Sequence, residues 1–462
     1  MKISHFAVAG LVAVGLSHAT VHFPFPQNLD YGNANAATLT DKATAATQLQ
    51  TAFDYYYTTF YRENGDYACI RADPGDNQCF SEGIGYGMLM MVYFSNNEKN
   101  YQTEFDKLWA LYKAAEDKNG LMNWKIGNAD PTQVWGEYAA TDAEVDVAAA
   151  LIMASYQFGD ATYLSEAKTL LQHVRTYEFE TNGLHKPGDN WNDKKNPSYI
   201  SPAYYYLFAA VDTDGAEFWN TTAMDANYAL LEANSASHTT GLFDNWTNAS
   251  GADLESMYGY DASRTPWRLG QAWYWFSDSR AQALLQKMGT WASTQSASNV
   301  AGSISVSGTM GADHNNTFVA TVMTSLSAST AFQSKLDEYW NEAVSTTNSD
   351  ANSKYFQKSM EILNGLLVSG NMPNFASGAL PVSISKAPKA LSSAVVMQGK
   401  QLNLKVSGVA QVKLFNLTGH EVWNTHVAAG TSTVSLSKIP NGVYMVQIRS
   451  GEKSEMHKIR VQ

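Results

Sequence analysis

Cysteine is almost missing from this chain of 462 residues. Only Cys69 and Cys79 are present, with nine residues between them. Two thiols without histidines at ligand spacing do not make a metal centre, so a disulfide is expected and no metal. Positive charge is also in deficit: charged residues reach only 16 % and the net charge is −12, which argues against a polyanionic partner such as nucleic acid. Long apolar runs are absent as well. The stretch 6–16 behind Lys2 is too short to span a bilayer, and with Ser17-His18-Ala19 it reads as a secretory signal over 1–19. An exported protein without a transmembrane segment is expected.

Aromatic surface, by contrast, is abundant. Twelve Trp and 25 Tyr are more flat surface than a core requires, and suit a face that stacks on a ligand. From about 38 to 367, apolar periodicity predicts helices at 40–60, 83–95, 101–117, 142–158, 161–176, 202–212, 222–234, 266–276, 280–291, 316–345 and 353–367. Few strands interrupt them. The fold class expected is all-α, a toroid of paired helices with its active loops at one end. Near residue 385 the character changes: residues 386–462 carry a balance of +7 against −19 for residues 1–385, and the runs LNLKV, AQVKLFNL, STVSL, VYMVQI and HKIRV alternate between turn signals. That predicts a small C-terminal β-sandwich over 389–462 behind a linker at 371–388, with the main domain over 20–370.

Three groups of carboxylates stand out. In SEGIGYGM, Ser81 is a good N-cap and Glu82 falls in the first turn of a helix whose Gly83, Gly85 and Gly87 would clear space for another backbone or a substrate. A first-turn acid also simply balances the helix dipole, which lowers a carboxyl pKa. In ATDAEVDVAAAL, Thr141 is the expected cap and Asp142 and Asp146 share one face. In YGYDASRTPWR, Asp261 precedes a helix started by Pro266, with Arg264 close enough to keep it ionised, as a general base requires; a structural Asp–Arg pair is the plain alternative. One acid held protonated, one held ionised and aromatic rings between them meet the needs of glycosidic bond cleavage. Trp124, Trp191, Tyr199 and Tyr260 are the rings placed to stack on sugars, although such rings are more often core.

FPFPQN at 23–28, SEGIGYGM at 81–88, LMNWKI at 121–126, ATDAEVDVAAALIMA at 140–154, NPSYISPAYY at 196–205 and YGYDASRTPWR at 258–268 resemble glycoside hydrolase family 8. The resemblance implies an (α/α)6 barrel and inversion, with Glu82 as general acid, Asp261 as general base and Asp142 gripping the sugar at the cleavage point. It further implies that Trp124, Tyr199 and Arg264 line the cleft and that Tyr260 sits beside the base. Glu144 departs from the family's usual Asp. Inversion would set the two acids roughly 6.5–9.5 Å apart, with Asp142 ionised nearby. An endo-β-1,4-glucanase is expected from the SRTPWR form, followed by xylanase, then chitosanase or mixed-linkage glucanase; a non-catalytic surface glycan-binding protein is the reading from another class. No cofactor is implied. The tail, with VKLFNLTGHEV and IPNGVYMVQI, resembles C-terminal sorting domains of type IX or similar export, implying export machinery or a cell surface as partner beside the β-1,4-linked polysaccharide.

Overall fold

Helices of two kinds alternate along the chain, and burial separates them. The computed structural model describes residues 20–345, 354–377, 394–406, 409–416, 421–450 and 453–461. The expected signal at 1–19 and residues 378–388 of the expected linker lie outside these. The helices are α1 (Lys42–Phe60), α2 (Ser81–Phe94), α3 (Gln102–Ala114), α4 (Thr141–Gln157), α5 (Ala161–Tyr177), α6 (Pro202–Val211), α7 (Met224–Ser237), α8 (Thr265–Phe276), α9 (Ser279–Ala292), α10 (Asn316–Ser325), α11 (Gln333–Ser345) and α12 (Tyr355–Val368). Even-numbered helices are buried almost all round: every residue of α10 and, beyond Glu82, every residue of α2. Odd-numbered ones bury one stripe, as in α5 with Tyr163, Ala167, Leu170, Leu171 and Val174 at helical spacing. The buried helices touch in the closed order α2-α4-α6-α8-α10-α12 and back to α2, while the striped ones pack outside. An inner ring of six within an outer six is the (α/α)6 barrel.

The glycines of α2 serve this ring. A Cβ on Gly85 would lie 2.8 Å from Asp146 Cβ in α4, and one on Gly87 2.8 Å from Ile70 Cγ1. They bring α2 against its neighbours, so of the two expectations, close approach of another part of the chain or of a substrate, the first is the one met. Gly85→Ala should therefore cost about 1–3 kcal/mol of stability. A thermal midpoint equal to the wild type's would show that α2 and α4 can separate freely.

Short strands brace the helix ends: β1 (Tyr61–Asn64) pairs with β2 (Tyr67–Ile70), β4 (Lys125–Gly127) lies between β3 (Gln78–Phe80) and β5 (Val134–Gly136) and pairs with both, and β6 (Met257–Tyr258) pairs with β7 (Ile304–Ser305). The Cys69–Cys79 disulfide ties β2 to β3, the strand that runs into Glu82. The single helix expected over 316–345 is broken between α10 and α11, where the Ser329 side chain accepts from Ala331 N and diverts the backbone. Residues 371–376, assigned to the linker on composition, belong to the body: Met372, Phe375 and Ala376 are in its core and Phe375 stacks on Phe23. No helix among the described residues is long and apolar enough to cross a membrane.

The second unit, 381–462, has two antiparallel sheets. β8 (Ala394–Gln398), β9 (Gln401–Val406) and β12 (Gly430–Ser435) form one; β10 (Ala410–Phe415), β11 (Glu421–Val427), β13 (Gly442–Ser450) and β14 (Lys453–Val461) form the other. Alternate residues such as Leu402, Leu404, Val412, Leu414, Val446 and Ile448 make its core. β8 and β11 had no strand expected: EVWNTHV carries only two apolar residues before its last position.

Candidate active site

The inner helices run in one sense, so their N-termini gather at one end. A cavity of about 250 Å3 opens there, lined by Glu82 of α2, Asp142 of α4, Tyr199 just ahead of α6, Asp261 and Arg264 ahead of α8, and Tyr355 at the start of α12, with Phe80 and Trp124 at its edge. Positive helix ends favour carboxylates at this position. Trp124 is 41 % exposed and stacks on Phe80 with ring centroids 5.6 Å apart. A hollow of about 600 Å3 lined by Pro24, Phe25, Thr47, Gln50 and Glu98 offers a single acid and no comparable chemistry.

Arg264 is the hub of the cavity. Its Nη1 donates to Glu82 Oε2 and, at 2.7 Å, to Asp142 Oδ2, and its guanidinium lies 5.1 Å from the Tyr199 ring centre. Asp261 receives from Arg264 only at its backbone carbonyl, 3.2 Å from Nη2. The carboxylates paired with this arginine are thus Glu82 and Asp142, not Asp261 as the spacing suggested: three residues on in a turn, the side chain leaves its neighbour and crosses the cavity. Glu82 Oε1 also accepts from the Tyr355 hydroxyl. Asp142, expected to remain ionised, is fully buried, and burial pushes its carboxyl up to about 8 against the pull of Arg264, with Glu82 adding to the rise.

Asp261 is held by other means. Trp246 Nε1 donates to its Oδ2 at 2.9 Å and Ser198 Oγ to its backbone carbonyl, leaving Oδ1 open. Asn245 Oδ1 accepts from Gly259 N and Ala262 N, fixing the turn around it. Trp246→Phe should lower kcat about ten- to a hundredfold with little change in KM, the worth of one hydrogen bond to a charged group; an unchanged kcat would make Trp246 a packing residue alone. Trp191 is outside the cavity wall and packs on Trp246, ring centres 5.0 Å apart. Tyr260 is turned away: its hydroxyl donates to Asp313 Oδ2 at 2.6 Å. Trp246 and Tyr355 were not anticipated. The triplet Asp-Asn-Trp occurs at both 189–191 and 244–246, a signal for Trp246; Tyr355 has none.

The expected caps are not caps. Ser81 and Thr141 are the first residues of their helices, with Phe80 and Ala140 as N-caps, and Thr141 Oγ1 donates to Lys186 O instead. Of the three acids that open α4, only Asp142 reaches the cavity. Asp146 forms a buried two-point ion pair with Arg268, and Glu144 is buried beneath Tyr112, whose hydroxyl lies 3.3 Å from Oε1.

Comparison with known proteins agrees with this geometry. The model described as glycosyl hydrolases family 8 matches residues 23–370, and that of a secretion system C-terminal sorting domain matches 398–462. Endoglucanase A of Acetivibrio thermocellus is 30 % identical over 387 residues, 80 % of this chain and 79 % of that protein. The reducing end xylose-releasing exo-oligoxylanase of Halalkalibacterium halodurans is 29 % identical over 255 residues, 49 % of this chain and 62 % of the other. Among solved structures, the apo β-1,3-1,4-glucanase from Paenibacillus sp. X4 superposes with a TM-score of 0.69 at 23 % identity, covering 76 % of this chain and 99 % of that one.

Proposed function

The chain belongs to glycosyl hydrolases family 8, an inverting family acting on polysaccharide, and from that membership we propose that it is an endo-β-1,4-glucanase. It is an exported or surface-held protein by its C-terminal sorting domain. The observation that carries the reading is the meeting of Glu82, Asp142 and Asp261 in one cavity. Glucan is favoured because similarity to the endoglucanases runs over four-fifths of the chain, against half for the exo-oligoxylanases.

In this mechanism Glu82 protonates the glycosidic oxygen and Asp261 takes a proton from the attacking water. α2 and α8 stand opposite each other in the inner ring order, so acid and base approach the sugar from different sides, as inversion requires. Trp246 occupies one oxygen of Asp261 and leaves the other for the water. Asp142, which accepts from the same Arg264 nitrogen as Glu82, sets a second carboxyl beside the acid and near the developing positive charge. Trp124 offers an exposed ring for a pyranose face.

Release of reducing sugar from carboxymethyl cellulose, xylan and chitosan in parallel tests the substrate, with the anomer of the first product read by NMR. Cellulose cleavage with an α-anomer first is expected. Faster xylan release would move the assignment to xylanase, and binding without release would make the protein a glycan-binding module. For the tail, a chain ending near residue 385 should remain inside the cell or lose its surface position; normal localisation would remove the sorting role.

A further inference from the structure

A second cluster of titratable groups stands behind the loop that carries Trp246. His238 follows α7, and its Nε2 lies 3.1 Å from Asp244 Oδ2 and 3.0 Å from Asp253 Oδ1. His238 and Asp244 are buried, and Asp253 is partly so. Among the described residues no lysine or arginine side chain is bonded to either carboxylate. Asn234 Nδ2 donates to both acids, at 3.0 and 3.1 Å, and to Gly251 O, which orients the oxygens without supplying charge. Two acids gathered on one imidazole nitrogen call for a positive charge among them.

We propose that His238 Nε2, Asp244 Oδ2 and Asp253 Oδ1 bind one divalent transition cation of the zinc type. All three atoms lie within 4.8 Å of one another. In a tetrahedral zinc centre with bonds of about 2.0–2.1 Å, neighbouring ligand atoms stand about 3.3 Å apart, and both edges measured from His238 are close to that. One imidazole and two carboxylates suit zinc better than calcium, which takes oxygen ligands throughout. Thr247 pairs across the backbone with Asp253 and so presents its side chain on the same face. Its hydroxyl is fully buried and unpartnered, which makes it, with water, a source for the fourth position.

The cation would brace the loop that holds the base, a consequence that rests on the role proposed for Asp261. Asp244 Oδ1 accepts from Met257 N at 3.0 Å and its own N–H donates to Asn234 Oδ1. The next two residues, Asn245 and Trp246, hold the Asp261 turn and the Asp261 carboxylate. Fixing Asp244 therefore fixes both supports of Asp261.

The test uses the full chain, stripped with EDTA, dialysed and titrated with zinc chloride. One equivalent of zinc should bind by calorimetry and elemental analysis, raising the thermal midpoint by several degrees. Asp253→Asn, at a partly exposed position, should keep its helical circular dichroism while binding zinc at least tenfold more weakly; His238→Gln should lose the site. A wild type that takes up no zinc, with a midpoint indifferent to EDTA, would overturn the proposal. Zinc bound by Asp253→Asn as tightly as by the wild type would equally overturn it. Neither readout depends on catalysis, so failure of the Asp261 assignment would leave the zinc result standing.

Discussion

Glu82→Gln and Asp261→Asn are each expected to lower kcat on a polysaccharide by roughly 10²- to 10⁴-fold, the worth of a positioned general acid or base. Both changes keep shape and volume; Glu82→Gln loses one of the two hydrogen bonds that Glu82 accepts from Arg264 and Tyr355 at the cavity wall, while the helical core is untouched, so circular dichroism should not change. The two variants should part company on an aryl glycoside. A phenolate of low pKa leaves without a proton, so Glu82→Gln should recover much of its rate there; Asp261→Asn should not, because its water still lacks a base. Rates within a fewfold of wild type for either variant on cellulose would remove that residue from its role, and equal recovery of both on the aryl substrate would remove the distinction between acid and base. Tyr355 and Arg264 contact Glu82 directly, so a smaller loss in Tyr355→Phe would measure how far positioning of the acid contributes.

Much of this arrangement is legible in the sequence, and the parts that are not share a physical cause. Periodicity is a local property, so the one-sided stripe of α5 and the all-round apolar α2 can both be read from neighbouring residues. The site acids sit at helix entries, which turn chemistry and glycines also mark locally. What a side chain touches across the barrel is a different matter. Arg264 stands three residues from Asp261, yet its charge is spent on Glu82 and Asp142. Tyr355 meets a glutamate 273 positions earlier. Three glycines in five helical positions need a reason, but whether the close neighbour is a sugar or Asp146 depends on where α4 lies. The same holds for residues 371–376, whose Gly, Asn and Pro neighbours suggest a linker while Met372 and Phe375 are core.

Glu144 and Glu178 together should make the protein lose stability as pH rises. Both are fully buried, and no lysine or arginine side chain among the described residues is paired with either. Burial raises each carboxyl well above its ordinary 4.5; Glu178 and Asp142 add to the rise for Glu144, as do Asp189, Asp142 and Asp117 for Glu178. An acid whose pKa is raised by folding binds more protons folded than unfolded, so its contribution is whole below 4.5 and is lost as pH climbs towards the folded value. Each unit of rise costs about 1.4 kcal/mol at pH above both values. Asp142, pushed up to about 8, adds in the same direction between about 4 and 8. The double variant Glu144→Gln, Glu178→Gln keeps polar shape and removes the titration, so its thermal midpoint should exceed the wild type's by a margin that grows from pH 5 to pH 8. A margin equal at the two pH values would mean that these carboxyls are ionised and solvated by some other route. The same measurement bears on activity. If the pair stays protonated at working pH, no extra negative charge faces Asp142 from behind.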